Sequence, residues 1–327
     1  MPTNKYQPVQ NSRGSSLKAF FVALGALALL RLLVGLIALP THVLPWANAI
    51  VSVLFVGLPI LALFRAADYP WTPKLATTMI LLGVALQASG ALAASQVKLP
   101  LLAGALIAIS QVGLICWCFG IGTLLTSLLK DKNVLVPVSI FLAVFDIWLV
   151  FVPEGPVNRI LTTNPQIPAA VSLQVPSVTS ESAGGFARAM AYVGPADLLF
   201  LAMFFVALFK FQMRPRATLK AMIPVLVVYL LVVLLFGSVE IGPLRLGALP
   251  ALLPIGAVIL AVNWREFKMT RDELQATIGV TVVCLALLFW RMSEAKNRPE
   301  APVETSQPDS APLSPGRRDS HEPTIQV

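Results

Sequence analysis

Nine apolar stretches, each of about 16 to 29 residues, make up most of this chain. A helix needs about 20 apolar residues to cross the hydrocarbon core of a bilayer. Only 12% of the residues are charged, against about 25% in a typical soluble domain. The sequence therefore predicts an all-α, polytopic membrane protein with about nine transmembrane helices. The predicted spans are residues 18–39, 45–64, 75–94, 100–128, 134–152, 190–211, 221–236, 246–263 and 275–290.

Polar sequence at both ends sets the limits of the membrane domain. Residues 1–17 form a polar N-terminal segment, and residues 18–291 form the transmembrane helical domain. Residues 292–327 are rich in Pro, Ser and Glu without apolar periodicity, which is typical of a disordered tail. The first span carries Arg31 and no A-x-A-like cleavage site, which predicts a retained helix with an inward-facing or snorkelling arginine.

The distribution of basic residues predicts the orientation. With the N-terminus in the cytoplasm, the inside segments hold fourteen Lys and Arg residues and the outside loops hold four. Cytoplasmic loops of membrane proteins carry this excess. We therefore predict a multi-pass protein of the plasma (inner) membrane with a cytoplasmic N-terminus. Its net charge of +8 indicates contact with the anionic surface of the lipid bilayer and no nucleic-acid partner.

The cysteine and histidine residues give no metal or redox pattern. Cys116, Cys118 and Cys284 lie in apolar stretches, where cysteine is usually a small packing residue. The C-W-C pair lacks redox C-x-x-C spacing. His42 and His321 are the only histidines, which excludes a His-based triad and a His metal cluster. We predict no metal and no cofactor.

Two carboxylates lie inside predicted membrane helices: Asp146 in span 134–152 and Asp197 in span 190–211. A charged residue at the centre of a membrane helix costs about 2.5–3.5 kcal/mol on insertion scales, so such residues usually serve a function. At about 1.5 Å per residue, Asp146 lies roughly 9 Å and Asp197 roughly 10 Å from the ends joined by loop 153–189. The carboxylates are therefore predicted at matching depth on consecutive antiparallel helices.

A carboxylate pair at one depth suits aspartic-protease chemistry. Two adjacent carboxylates cannot both be ionised cheaply, so the pair shares one proton. The ionised member accepts a proton from water, and the protonated member donates to the peptide carbonyl. The pair works as a unit, so the acid and base roles are not assigned to one residue each.

The sequence near the carboxylates favours an opened backbone. Gly194 and Ala196 are small, and Pro195 interrupts helical hydrogen bonding just before the second carboxylate. The segment GALPALLPIG at 247–256 opens the eighth span, and Pro250 lies at a depth similar to the carboxylates. The proline pair weakens the first turns and leaves backbone groups that are predicted to pair with an extended substrate.

In their order and spacing, these motifs resemble those of the presenilin and signal peptide peptidase family of intramembrane aspartyl proteases. The corresponding residues are Phe145-Asp146, Gly194-Pro195-Ala196-Asp197 and Pro250-Ala251-Leu252. The resemblance implies a presenilin-like helical bundle with its catalytic core in residues 134–263. It implies that the catalytic residues are Asp146 and Asp197. It implies that the substrate-binding residues are Gly194, Ala196, Pro250, Ala251 and Leu252.

The chain departs from the family pattern at two residues and in helix number. Phe145 stands where the family usually has Tyr, and Ala196 stands where it has the second Gly. Four predicted helices precede the first Asp helix, where the family usually has five. Either the long span 100–128 hides a break between two helices, or the chain is a divergent, bacterial- or archaeal-like member. The predicted orientation resembles that of signal peptide peptidase, which implies type II transmembrane helices as substrates.

Two other functions are compatible with the same residues. An inactive homologue would bind transmembrane helices without cutting them, as the changes at Phe145 and Ala196 suggest. A proton- or cation-coupled transporter would also use paired intramembrane carboxylates and proline-broken helices. The chain shows no inverted repeat, which argues against the transporter.

Overall fold

The computed structural model describes residues 11–151, 171–181, 184–236, 240–241, 244–245 and 251–297. Within these ranges the chain forms nine α-helices and two pairs of short antiparallel strands. The helices are α1 (Asn11–Leu36), α2 (Leu44–Ala67), α3 (Pro73–Gln96), α4 (Pro100–Leu128), α5 (Leu135–Phe151), α6 (Pro195–Lys210), α7 (Pro215–Phe236), α8 (Leu252–Asn263) and α9 (Arg271–Asn297). The strands are β1 (Leu173–Ser177), β2 (Arg188–Val193), β3 (Glu240–Ile241) and β4 (Leu244–Arg245).

Six of the described helices are long and apolar enough to cross a membrane: α1, α2, α3, α4, α7 and α9. The chain is therefore a mainly helical integral membrane protein, as predicted. The other three described helices, α5, α6 and α8, have 17, 16 and 12 residues. At about 1.5 Å per residue they are about 25, 24 and 18 Å long, below the roughly 30 Å of a hydrocarbon core. The count of nine spans stays a prediction.

The N-terminal boundary differs from the prediction. Helix α1 begins at Asn11, so residues 11–17, assigned to the polar N-terminal segment, are helical. The buried Ser16 explains the extension, because its hydroxyl donates a 2.7 Å hydrogen bond to the Asp68 carboxylate just after α2. This polar contact between helix ends allows α1 to continue beyond its apolar stretch.

The C-terminal boundary and the second Asp helix also differ from the prediction. Helix α9 continues to Asn297, into the predicted tail 292–327, whose residues 298–327 lie outside the described part. Helix α6 begins at Pro195, although its span was predicted to begin at 190. Residues 190–193 belong instead to strand β2, because Pro195 lacks the N–H that a helix interior requires and favours the first helical turn.

Helices α3 and α4 form a hairpin packed through glycines. A Cβ added at Gly83 would lie 2.7 Å from the Gly113 carbonyl oxygen, and one at Gly113 would lie 2.5 Å from the Gly83 carbonyl oxygen. Gly90 and Gly120 also face backbone atoms of the partner helix at under 3 Å. Small residues let membrane helices approach closely, where dispersion contacts provide much of the association energy.

Helix α4 packs equally closely against α6, which carries Asp197. A Cβ at Gly122 would lie 2.6 Å from the Leu199 carbonyl oxygen. One turn later, the Thr126 hydroxyl is 2.9 Å from the Met203 carbonyl oxygen, to which it donates. The Lys210 ammonium donates to the carbonyl of Thr126, near the end of α4, where helical carbonyls lack partners. Helix α4 thus holds α6 over most of its length.

The described part of loop 153–189 contains ordered backbone pairing. Strand β1 pairs antiparallel with β2, with Leu173 opposite Val193. The register shifts between Val175 and Pro176, where proline has no N–H to offer the ladder. Leu173 and Val175 are buried in the main hydrophobic core, and β1 contacts α1, α2 and α4. The described strands are therefore part of the fold and not a flexible connection.

Arg31 fixes β1 to the helices. Its side chain is 1% exposed, which confirms the inward-facing prediction. The guanidinium donates two 2.9 Å hydrogen bonds to Gln174, one to its backbone carbonyl and one to its side-chain oxygen. The Gln111 side-chain amide satisfies its neighbours when its oxygen faces Arg31. In that orientation the oxygen accepts a third hydrogen bond from the guanidinium, at 3.0 Å. A buried cation is thus held by neutral amide oxygens from α4 and β1.

Candidate active site

Asp146 is buried on α5 and accepts a hydrogen bond from the start of α8. Its side chain is 8% exposed, and its Oδ2 lies 2.8 Å from the backbone nitrogen of Leu252, which donates. Leu252 is the first residue of α8. The first N–H groups of a helix have no intrahelical acceptor and carry a partial positive charge. The carboxylate therefore supplies the acceptor that the first N–H of α8 would otherwise lack.

Helices α5 and α8 reach this contact because small residues line their interface. Gly256 faces α5 so closely that an added Cβ would lie 3.3 Å from the Ser139 carbonyl oxygen. Ser139 stands seven residues before Asp146, on the same face of α5. The buried side chains of Leu252 and Ile255 fill the remaining space. The packing of α8 thus aims its N-terminus at Asp146.

Asp197 is the third residue of α6 and lies in its first turn. Gly194 is the N-terminal cap of α6, and Pro195 occupies the first helical position. The backbone N–H of Gly194 donates to the Asp197 carboxylate, closing the helix start in the manner of a capping box. The predicted placement about 10 Å inside a helix is therefore wrong for Asp197, because the chain before Gly194 is a strand.

The two carboxylates are close enough to interact electrostatically. Helix α8 contacts both α5 and α6, so it bridges the helices that carry Asp146 and Asp197. The side chain of Asp197 is half-buried. The structure thus brings together the two predicted acids and Leu252, the first and last of which are 106 residues apart in the sequence.

The other predicted site residues within the described part of the chain lie at the two helix starts. Ala251 caps α8, and its carbonyl accepts from Ile255, so it supports the turn that presents the Leu252 N–H. Ala196 is exposed, and a Cβ added at Gly194 would make an ordinary 3.4 Å contact with Asp197 Oδ2. Pro250 lies outside the described residues.

Phe145, which stands where the family motif usually has tyrosine, lies on the outer surface of the bundle. Its ring is 38% exposed and stacks on Phe141 one turn earlier, with ring centroids 5.8 Å apart. It also contacts Trp148 one turn later. A ring held in this aromatic row stands apart from the buried carboxylate of Asp146, the next residue along α5. The missing hydroxyl at position 145 is thus lost from an exposed side chain.

Two residues at the site gave no signal in the sequence. Tyr229, on α7, interacts electrostatically with both Asp146 and Asp197. Cys118, on α4, is fully buried, and its thiol lies 3.4 Å from the carbonyl oxygen of Pro195, at the start of α6. A single tyrosine or cysteine in an apolar span is normally read as packing. Only the arrangement of the helices shows that Tyr229 lies near both carboxylates and Cys118 near Asp197.

Comparison with known proteins gives no relative: no family model, no curated protein and no solved structure matches the chain. The described residues include no group of three His, Cys, Asp or Glu side chains that would hold a metal ion. The polar groups gathered at this site are the two carboxylates, the Leu252 N–H and the Tyr229 hydroxyl.

Proposed function

We propose that this protein is an intramembrane aspartyl protease of the presenilin and signal peptide peptidase type, with Asp146 and Asp197 as its catalytic pair. One observation carries the proposal. The Leu252 N–H, within the predicted Pro-Ala-Leu motif, donates to Asp146, and Asp146 in turn interacts with Asp197. Three motifs chosen from the sequence for one chemistry thus meet at one point. The nine-span, presenilin-like bundle belongs to this proposal.

The proposed reaction needs only water and the two carboxylates. The ionised carboxylate takes a proton from water as the water oxygen bonds to the peptide carbonyl carbon, and the protonated carboxyl gives its proton to the carbonyl oxygen. The C–N bond of the tetrahedral intermediate then breaks. One carboxyl protonates the departing amine, while the other carboxylate takes a proton from the diol. The pair ends with one proton, as it began.

The short helices around the pair support access for water and substrate. Helices α6 and α8 both begin beside the carboxylates, and the chain that leads into α6 is the strand β2 and not a helix. Non-helical backbone at membrane depth is tolerated where it is buried in protein or lines a wet cavity. Strand β2 runs directly into Gly194 and belongs to a two-stranded sheet. An unwound substrate segment would pair with such a strand by β-augmentation.

One element of the motif works differently from the sequence-based expectation. The backbone groups near Pro250 were predicted to pair with substrate, but the Leu252 N–H is already bound to Asp146. In the proposed enzyme this N–H therefore orients a catalytic carboxylate. The substrates are transmembrane helices, of type II if the cytoplasmic N-terminus in the inner membrane predicted from the loop charges is correct.

A cleavage assay with purified protein tests the proposal. The protein in detergent is mixed with a model transmembrane peptide, and products are identified by mass spectrometry. We expect one or a few cuts within the apolar segment. An Asp146→Ala/Asp197→Ala double variant, purified identically, excludes a contaminating protease. A peptide that is retained but uncut would indicate a helix-binding homologue. A protein that cuts nothing and responds to an ion gradient in vesicles would indicate a transporter.

The hydrogen bond from α8 can be removed separately. Leu252→Pro deletes the N–H at the first helical position, although proline disfavours the αR conformation of the preceding Ala251, so the folding of this variant is checked first. Leu252→Ala keeps the N–H and removes the same buried side chain. A hydrogen bond to a charged group contributes about 1.5–3 kcal/mol, so we expect the proline variant to cleave about 10- to 100-fold more slowly than the alanine variant. Equal rates, with both variants folded by melting temperature, would contradict the role given to this N–H.

A further inference from the structure

The hydroxyl of Tyr229 is buried and makes no hydrogen bond with the described residues. Its oxygen is inaccessible to solvent, although the side chain as a whole is half-buried. Tyrosine usually finds a hydrogen-bond partner when its hydroxyl is buried. An exception therefore calls for an explanation, such as a role in binding or catalysis or a bound water.

Two other buried polar atoms lack partners in the described part of the chain, and neither resembles Tyr229. Arg31 Nε belongs to a guanidinium whose terminal nitrogens are already bound. Ser139 Oγ lies at the close contact between α5 and Gly256 on α8. Tyr229 differs because its hydroxyl is close enough to interact electrostatically with both Asp146 and Asp197.

The positions of the helices explain why this hydroxyl faces the acids. Helix α7 contacts α6, which carries Asp197, and α8, whose first N–H binds Asp146. The two carboxylates and the hydroxyl thus come from three different helices. In the proposed reaction the two carboxylates share a proton, and the hydroxyl near them is a donor that is hydrogen-bonded to neither.

We propose that Tyr229 is a further catalytic residue, whose hydroxyl donates a hydrogen bond to the carbonyl oxygen of the scissile peptide bond. This inference rests on the proposed protease function. The carbonyl oxygen gains negative charge as water attacks, until a carboxyl proton reaches it. A preorganised donor at that oxygen lowers the barrier because it binds the transition state more strongly than the substrate. Tyr229 keeps its own proton throughout, so the proton balance of the carboxylate pair is unchanged.

Removing this single hydroxyl tests the inference. In Tyr229→Phe the ring and its packing remain, and only the donor is lost. We expect kcat for the model transmembrane peptide to fall about 10- to 100-fold with KM changed less than about twofold, since the interaction forms mainly in the transition state. We expect the melting temperature in detergent to be unchanged or higher, because a hydroxyl without a partner in the resting protein contributes nothing to its stability.

Tyr69→Phe is the matched control. Tyr69 is half-buried after the end of α2 and packs edge-on against Trp71, with ring centroids 5.4 Å apart. This substitution makes the same chemical change outside the helices that carry the two carboxylates and Tyr229, and we expect wild-type kcat and KM.

Three outcomes would overturn the inference, and they differ from one another. An unchanged kcat in Tyr229→Phe, or a rise in KM alone, would show that the hydroxyl does not act in the transition state. A melting temperature lower by several degrees would show that the hydroxyl has a structural partner. Failure of the wild-type protein to cut any peptide would remove the proposed function, and the catalytic role of Tyr229 with it.

Discussion

Asp146→Asn and Asp197→Asn are each expected to lower the rate of peptide cleavage by about 10⁴-fold, to the limit of detection. Asparagine has nearly the same size as aspartate, but it neither takes a proton from water nor donates one to the carbonyl. Its side-chain oxygen still accepts a hydrogen bond, so at position 146 the contact with Leu252 is kept. The loss of activity would therefore result from the loss of proton transfer and not from unfolding.

The double variant gives a sharper test of the pair. Because the two carboxylates share one proton and act together, losing both should cost no more than losing either one. Rates are measured with the model transmembrane peptide, alongside melting temperatures. Clear cleavage by either single variant would contradict the mechanism. Multiplicative losses in the double variant would show that the two acids act independently.

Glu266→Gln is the matched control for these changes. Glu266 forms a 3.2 Å ion pair with Arg214 in the turn after α8, at the opposite end of that helix from Leu252. Partly exposed ion pairs contribute about 0–1 kcal/mol. The same acid-to-amide change at this position is therefore expected to leave both cleavage and melting temperature nearly unchanged. A comparable loss of activity would mean that the assay reports general instability.

Gly113→Ala is expected to destabilise the protein by about 1–3 kcal/mol, and Gly113→Val by more. A Cβ at this position would lie 2.5 Å from the carbonyl oxygen of Gly83 and 2.6 Å from the backbone nitrogen of Gln87. Both atoms belong to the backbone of α3, so they cannot rotate away as a side chain would. Helices α3 and α4 must separate, and α4 also supports β1 and the Asp197 helix. The melting temperature in detergent measures the effect.

Gly25→Ala provides the control for this prediction. Gly25 lies inside α1, and an added Cβ there meets no atom within 4 Å. Alanine favours helices over glycine by roughly 0.5–1 kcal/mol, so Gly25→Ala should raise the melting temperature slightly. If Gly113→Ala were equally harmless, the close contact of α3 and α4 would not be a stabilising feature of the fold.

Much of the helical framework is predictable because lipid selects long apolar stretches. Every predicted span overlaps a described helix, although boundaries differ where polar or extended segments intervene. The start of α6 was misplaced because Met190, Ala191, Tyr192 and Val193 are as apolar in a strand as in a helix. Hydropathy measures transfer to lipid, so it does not distinguish a strand from a helix. The backbone hydrogen bonds to β1 decide that this segment is a strand.

The site was predictable only in part, for a physical reason. Asp146 and Asp197 stand out because a carboxylate in an apolar span is costly. The Leu252 N–H leaves no trace in the sequence, since every residue except proline has one. Tyr229 was not predictable either, because tyrosine is common in membrane helices. Both depend on how α7 and α8 pack against α5 and α6.

The buried arginine has a consequence for how the chain is made. Arg31 finds its acceptors on Gln174, 143 residues further along the chain. At about 5–20 residues per second, the ribosome needs roughly 7 to 30 s to reach that residue. During biosynthesis the first helix is therefore made before all the described acceptors of its cation: Gln111 follows 80 residues later, and Gln174 later still. The full set of hydrogen bonds that fixes the first helix to β1 consequently forms late in assembly, after the segment from 171 onward has been synthesised.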